Sequence, residues 1–239
     1  MDREPHAQIT GLMENQLLRG MGADDRQALL AHGKRVSFSS GEVYARPDDP
    51  ISTLAFVEAG VFASSWQGAR NGIDAYLVGH EGVVGIAAWA VASNWPAEVV
   101  CRSACSAWQI PAVLARDVAW TRPGVRASLG RYAADLQHGL EAAVLQTSEK
   151  VTPRLASLLL ALQDRMGPDN LTVTQEMLAE MLGIQRTSVC GAARDLKAAA
   201  AITFSRGRVW VIDRTALEAA AGATITGSGE GRATGIVSA

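Results

Sequence analysis

Cysteine is scarce in this chain: three residues in 239, at 101, 105 and 190. An odd and sparse set builds no disulfide framework, so a reducing cytoplasm is the expected compartment. No apolar run approaches the roughly 20 residues that span a bilayer. The start, MDREPHAQIT, lacks the basic-then-apolar order of a signal peptide. Histidine is also rare, with four residues and no His-x-His pair, which leaves little material for a metal triad of the cupin type. A large excess of one charge is missing too: the net charge is −2 and the pI about 6.1. What is present is 48% apolar and 19% charged, the balance of a globular chain with a sizeable core.

The small net charge hides an uneven distribution. Residues 1–120 carry nine Lys/Arg against thirteen Asp/Glu, whereas residues 185–214 carry six (Arg186, Arg194, Lys197, Arg206, Arg208 and Arg214) against Asp195 and Asp213. A mildly acidic body with one short basic segment points to a polyanionic partner at that segment.

Two textures meet near residue 120. Before it, β-branched or apolar stretches recur about every ten residues: 35–38, 42–46, 53–58, 61–67, 73–78, 98–102 and 105–110. Gly- and Asp-rich punctuation separates them, which is the rhythm of an antiparallel sandwich or barrel, here a β-roll. A short helix over 24–32 precedes it. From Pro123 the period changes: Val125, Leu129, Tyr132, Leu136, Gly139 and Ala143 follow at spacings of four and three. This heptad-like seam, with Leu140 beside it, fits a helix that meets its twin in a dimer, or one lying on its own sheet. Arg126, Arg131, Gln137, Glu141 and Glu149 occupy the other face. Thr152 and Pro153 read as the N-cap and first position of a helix over 154–166, with Leu155, Leu158, Leu159 and Leu162 on one face. After residue 221 the Gly-, Ser- and Thr-rich sequence has too little apolar content to pack and is expected to be disordered.

Residues 172–212 are the most informative. Thr174 is placed to N-cap a helix carrying Met177, Leu178 and Met181 inward. Counting Gln175 as the first of twenty positions puts small Ala179 fifth, turn-forming Gly183 ninth and Val189 fifteenth. Leu178, Leu182, Ile184 and Ala192 supply the apolar fourth, eighth, tenth and eighteenth. Such spacing predicts a helix-turn-helix, its second helix running over 185–199. Ile202–Phe204 and Val209–Ile212, joined by a turn at 205–208, add a β-hairpin wing. The candidate DNA-contacting residues follow from exposure at the second helix's start. Gln185, Arg186, Thr187, Ser188 and Gly191 face base edges. Thr174 and Gln175 sit at a helix N-terminus suited to phosphate, and Arg194, Lys197, Arg206 and Arg208 are expected backbone anchors, with Arg194 equally readable as a solvated i,i+3 partner of a neighbouring charge.

The order β-roll, seam helix, Thr-initiated helix and winged helix resembles the Crp/Fnr family of bacterial transcription regulators. It does so most specifically through VTPRLASLLLAL, LTVTQEMLAEMLGIQRTSV and SRGRVWVID, and more loosely through SGEVYARPDDP, FVEAGVF and LVGHEGVVG, over about residues 12–221. The resemblance implies an α+β protein: an antiparallel jelly-roll sensor like cyclic-nucleotide-binding domains over 1–120, a dimerisation helix over 121–149, a winged helix-turn-helix over 150–221, and a tail over 222–239. It also implies a cytoplasmic, non-catalytic homodimer that binds a two-fold-related site on double-stranded DNA and touches RNA polymerase.

Departures from the family pattern bear on the effector. In cyclic-nucleotide-binding members a Gly-Glu pair holds the ribose and an Arg-Ser pair the cyclic phosphate. Here Gly85 precedes Ile86, and Trp95-Pro96 stand where Arg-Ser is expected, so cAMP is disfavoured. With no Cys before Cys101, an iron–sulfur cluster is disfavoured as well, and Cys101 and Cys105 read as core. His80 reads as a surface-loop histidine, although as an axial ligand it leaves haem open. No cofactor is expected, the effector is unassigned, and Trp66, Trp89, Trp95 and Trp108 are candidates to fill the roll themselves. In the best-known members a Glu and an Arg on the second helix read the half-site; Thr187 and Gly191 stand there, so a different operator is expected. Two alternatives stay open: a cupin-like small-molecule-binding protein or enzyme, and an oligomerising adaptor.

Overall fold

The computed structural model describes residues 14–66, 73–145, 150–167, 171–205 and 208–222. Arg206, Gln67 to Gly72 and the tail beyond Gly222 therefore lie outside the described residues. So do the side chains of Trp66, Gly139, Leu140, Glu141, Ala143 and Glu149.

Two short helices open the fold, α1 (Gln16–Arg19) and α2 (Ala23–Leu30). The strands of the roll follow as β1 (Lys34–Phe38), β2 (Val43–Ala45), β3 (Thr53–Ala59), β4 (Phe62–Trp66), β5 (Ile73–Val78), β6 (Val83–Val84), β7 (Glu98–Cys101) and β8 (Cys105–Pro111). They form two four-stranded antiparallel sheets, in the orders β1-β8-β3-β6 and β2-β7-β4-β5. The chain changes sheet twice at one place. Gly60, at φ +78°, carries β3 into β4, and the 102–104 segment carries β7 into β8. Val61 N–H donates to Ser103 Oγ at 3.0 Å and Arg102 N–H to Val61 O at 2.9 Å, tying the two crossovers together.

The core between the sheets mixes aliphatic residues such as Leu54, Val99 and Ile110 with a cluster of rings. Phe38, Tyr44 and Phe62 meet edge-to-face at centroid distances of 5.4–5.5 Å, and Trp95 meets Tyr44 at 5.8 Å, a geometry favoured by ring quadrupoles. Of the tryptophans expected inside whose side chains are described, Trp95 is seen in this cluster. Trp89 lies toward Gly130, and Trp108 lies under the Arg35 guanidinium and donates to Glu58. Cys101 and Cys105 are both buried in the same core, as read from the sequence. They sit, however, on strands of different sheets rather than on one strand face.

Helix α3 (Ala112–Thr121) follows β8 directly. The strand rhythm gave no sign of it, because Ala112, Ala115, Val118 and Ala119 are the apolar stripe of a helix on the roll. Helix α4 (Pro123–Leu145) starts at Pro123 as expected. Its seam needs correction. Val125, Leu129 and Tyr132 are buried in the protomer's own roll core, not offered to a twin, and Leu136 is half-buried. Tyr132 hydroxyl bonds Tyr76 hydroxyl at 2.8 Å. Burial, and next the nearby Glu81 charge, push its ionisation up to about 12.

His80 is a second correction. It is buried, not on a surface loop. Its Nδ1 lies 3.0 Å from Arg165 O and its Nε2 2.8 Å from Gln16 Nε2. A carbonyl only accepts, so Nδ1 carries the proton and Nε2 accepts from the Gln16 amide. Both ring nitrogens are thus engaged, which opposes axial haem ligation. The surrounding 79–82 loop is tightly packed, and a Cβ on Gly82 would run into the Tyr132 ring and hydroxyl.

The C-terminal part comprises α5 (Val151–Met166), α6 (Gln175–Leu182), α7 (Arg186–Ala198), β9 (Ile202–Ser205), β10 (Arg208–Val211) and α8 (Arg214–Ala220). Helix α5 begins three residues earlier than read from the sequence. Lys150 is the N-cap position, so Thr152 lies inside the first turn and bonds Asp195 at 3.2 Å instead of capping. Leu155, Leu158, Leu159 and Leu162 are all buried. Helix α8, which periodicity did not reveal, is capped by Asp213, whose carboxylate accepts from Ala216 N–H at 3.1 Å.

Replacing Gly82 by Ala is expected to destabilise the protein by about 1–3 kcal/mol through this overpacking. The shift of a urea unfolding midpoint measures it.

Candidate nucleic-acid interface

Local chemistry builds α6 and α7 into a helix-turn-helix. Thr174 has extended backbone, and its Oγ1 accepts from Met177 N–H at 3.1 Å, the N-cap expected of it. Gly183 ends α6 in the left-handed region at φ +63°, and Ile184 N–H returns to Ala179 O at 3.0 Å. A side chain at 183 would strain this turn. Ala179 (4% exposed) and Val189 (0%) fill the angle between the helices. From α5, Arg154 Nη2 donates to Leu182 O at 2.7 Å and ties off the end of α6. That contact was not legible in the sequence.

This packing leaves the start of α7 in solvent. Gln185, Arg186, Thr187 and Ser188 are exposed, Gly191 is half-exposed, and Arg194 and Lys197 are exposed further along. Gln185 makes no side-chain cap to α7, so its amide is not tied to its own helix. Among the described residues no ion pair involves Arg194, Lys197 or Arg208. Arg214 differs: its guanidinium bonds Asp164 at 2.7 Å and Glu218 at 2.9 Å. It belongs to the fold, although it contributes to the basic count of the segment.

The wing stands beside α6. β9 and β10 pair antiparallel, with Ser205 opposite Arg208, and Val209 N–H bonds Leu171 O at 3.0 Å. Ile202 and Val209 are buried, which fixes the hairpin on the domain core. Between wing and reader lies a cleft of about 500 Å³ lined by Val173, Thr174, Gln175, Glu176, Arg186, Phe204 and Ser205. It brings together Thr174, Gln175 and Arg186 of the predicted set. Two contacts within it were not read from the sequence, because they depend on how α6 and α7 face each other. Cys190 Sγ donates to Gln175 Oε1 at 2.9 Å, and Arg186 Nε lies 3.7 Å from Glu176 Oε2. The first ties the Gln175 carboxamide to α7. The second holds the Arg186 guanidinium beside the cleft.

A helix with an exposed polar start, a supporting helix and a flanking hairpin make a winged helix-turn-helix, here joined to a jelly roll. Residues 153–220 match the model of the Crp-like helix-turn-helix domain. Among solved structures, the fold is shared with TTHB099, a CRP-family transcriptional regulator of Thermus thermophilus. That protein is 21% identical, over 78% of this chain and 96% of that one, with a TM-score of 0.63. It is shared also with FixK2 of Bradyrhizobium japonicum (15%, 78% and 96%, TM-score 0.66). A third is CLP, a c-di-GMP-responsive global regulator of Xanthomonas campestris (18%, 80% and 100%, TM-score 0.58). No curated protein sequence matches the chain. The chain thus carries a Crp-like helix-turn-helix domain on the fold of the Crp/Fnr regulators.

Thr174→Ala, which removes the α6 cap, is expected to cost about 0.5–2 kcal/mol of stability. Chemical unfolding followed by far-ultraviolet circular dichroism reads this directly.

Proposed function

We propose that the protein is a non-catalytic transcription regulator that binds a two-fold-related operator on double-stranded DNA as a homodimer. The observation that carries this reading is the exposed row Gln185–Ser188 at the start of α7, beside a cleft that opens onto Arg186 and the α6 N-terminus. Arg186 reads a base edge, with guanine its best partner, while Gln185 suits adenine and Thr187 and Ser188 serve bases or phosphates. Thr174 and Gln175 meet a phosphate at the helix terminus. Arg194, Lys197 and Arg208 neutralise the backbone, as does Arg206 at the wing tip.

The dimer forms along the part of α4 that leaves the roll. Val125, Leu129 and Tyr132 are engaged inside the protomer, whereas half-buried Leu136 begins a stripe that Leu140 and Ala143 continue by spacing. Such a protein works in the cytoplasm and acts on RNA polymerase. Among the described residues no helix is long and apolar enough to cross a membrane.

The roll is not a cAMP receptor in this reading. Gly85, at φ +86°, packs close to Trp95, and Trp95-Pro96 stand at the sequence place where cyclic-nucleotide-binding members of the family carry Arg-Ser, so a buried phosphate would lack its arginine. Neither iron–sulfur cluster nor haem is part of the proposal: Cys101 and Cys105 are core, and His80 has both nitrogens bonded.

Selection of bound sequences from a random DNA pool, followed by titration, tests the reading. Arg186→Ala is expected to weaken the selected site by about 1–3 kcal/mol while leaving random DNA nearly untouched. Arg208→Ala is expected to weaken all sequences alike and to lower the slope of affinity against salt by about one. A protein that enriches no sequence defeats the proposal.

A further inference from the structure

A polar seam joins the roll to the DNA-reading domain, and operator contact makes no use of it. Asp74 on β5 has no solvent exposure, and Arg102, from the β7–β8 crossover, grips it with Nε and Nη2 at 2.6 Å each. A bidentate pair of this kind fixes the guanidinium plane. The remaining nitrogen, Nη1, points away from the roll and donates to Glu180 Oε2 on α6 at 3.2 Å. Between the domains lie Val61, Ala63 and Leu77, roll residues that are fully buried in the core of the reader. At the far edge Glu81 pairs with Arg165 of α5 at 2.9 Å.

The two halves of the Arg102 bridge differ in character. The Asp74 half is buried and bidentate, while Glu180 is 57% exposed and free to leave. One guanidinium therefore belongs to the roll and touches the reader at a releasable point.

We propose that Arg102 is a positioning residue: anchored by Asp74, it holds Glu180 and so sets the tilt of α6 and α7 relative to the roll and α4. In a dimer that tilt sets the separation of the two recognition helices. The inference rests on the operator-binding reading above, and it makes a distinction that reading does not. A single half-site is indifferent to the bridge, whereas a two-fold site with fixed spacing is not.

The test compares the full chain with Glu180→Ala and Glu180→Gln. The DNAs are the selected two-fold site, one half-site alone, and sites whose halves are moved by one or two base pairs. Hydrogen exchange without DNA is followed at residues 175–182 and 202–211. An exposed ion pair is worth little, so the Ala variant is expected to bind the two-fold site about threefold to fivefold more weakly. Its half-site affinity should be unchanged and its spacing preference flatter. Exchange should rise by a similar factor at 175–182 and not at 202–211. Glu180→Gln, whose carboxamide oxygen still accepts from Arg102, should stay within about twofold of wild type. An Ala variant with full spacing preference overturns the proposal, as does equal loss on half-site and two-fold site. If wild type selects no two-fold site, the operator reading falls and the spacing role with it. The DNA-free exchange then tells that failure apart from an inert Glu180.

Discussion

The outer face of one sheet of the roll is finished by the core of another domain. Val61, Ala63 and Leu77 have no exposure, and the residues that cover them cluster with α5, α6 and α7 rather than with the roll. Apolar surface of that kind is costly to expose, so the reader is seated and not merely tethered. Polar pairs hold both ends of the seat: Asp74–Arg102–Glu180 at one and Glu81–Arg165 at the other. Breaking a buried pair strands a charge, whereas the exposed Glu180 contact can open at small cost. The joint combines a firm foundation with one soft contact.

The same economy of space explains the loop at 79–82. Its glycines admit the Arg165 side chain on one side and the Tyr132 hydroxyl on the other. Asn15 closes it from a third direction, donating to Val57 O at 2.9 Å and Gly82 O at 2.8 Å. The N-terminal helix, the roll, α4 and α5 therefore meet around four residues. A displacement of any one of them is felt by the others, because a close-packed junction cannot deform continuously.

The strands and the reader were legible in the sequence because their signals are local. Alternation marks a half-buried strand, and Thr174, Ala179, Gly183 and Val189 specify a turn between helices within one short stretch. What escaped was relational. The 3.5-residue seam of α4 describes an apolar stripe but not its partner, and the stripe at Val125, Leu129 and Tyr132 found the roll first. Helix α3 was hidden because alanines carry its buried face and alanine is silent in a strand-oriented reading. His80 looked exposed because its partners, Gln16 and Arg165, lie 64 and 85 residues away. The pairs Gln175–Cys190 and Glu176–Arg186 lie within the legible stretch but depend on how α6 and α7 face each other, and Arg214 looked available to DNA until Asp164 and Glu218 were seen around it.

The roll interior bears on how such a reader would be controlled. A receptor for a charged nucleotide needs a cavity with a buried cation facing it. Here Phe38, Tyr44, Phe62 and Trp95 form a ring cluster within the core between the sheets. The Tyr44 hydroxyl is satisfied by Thr53 at 2.7 Å, so it does not call for a ligand. A ligand entering this space would have to displace rings held in edge-to-face contact and then replace their contacts. The soft point of the molecule lies instead at the Arg102–Glu180 end of the seat, outside the roll. On the proposed positioning role of Arg102, a change at Glu180 would reach α6 and α7 without displacing those rings, at the cost of one exposed ion pair.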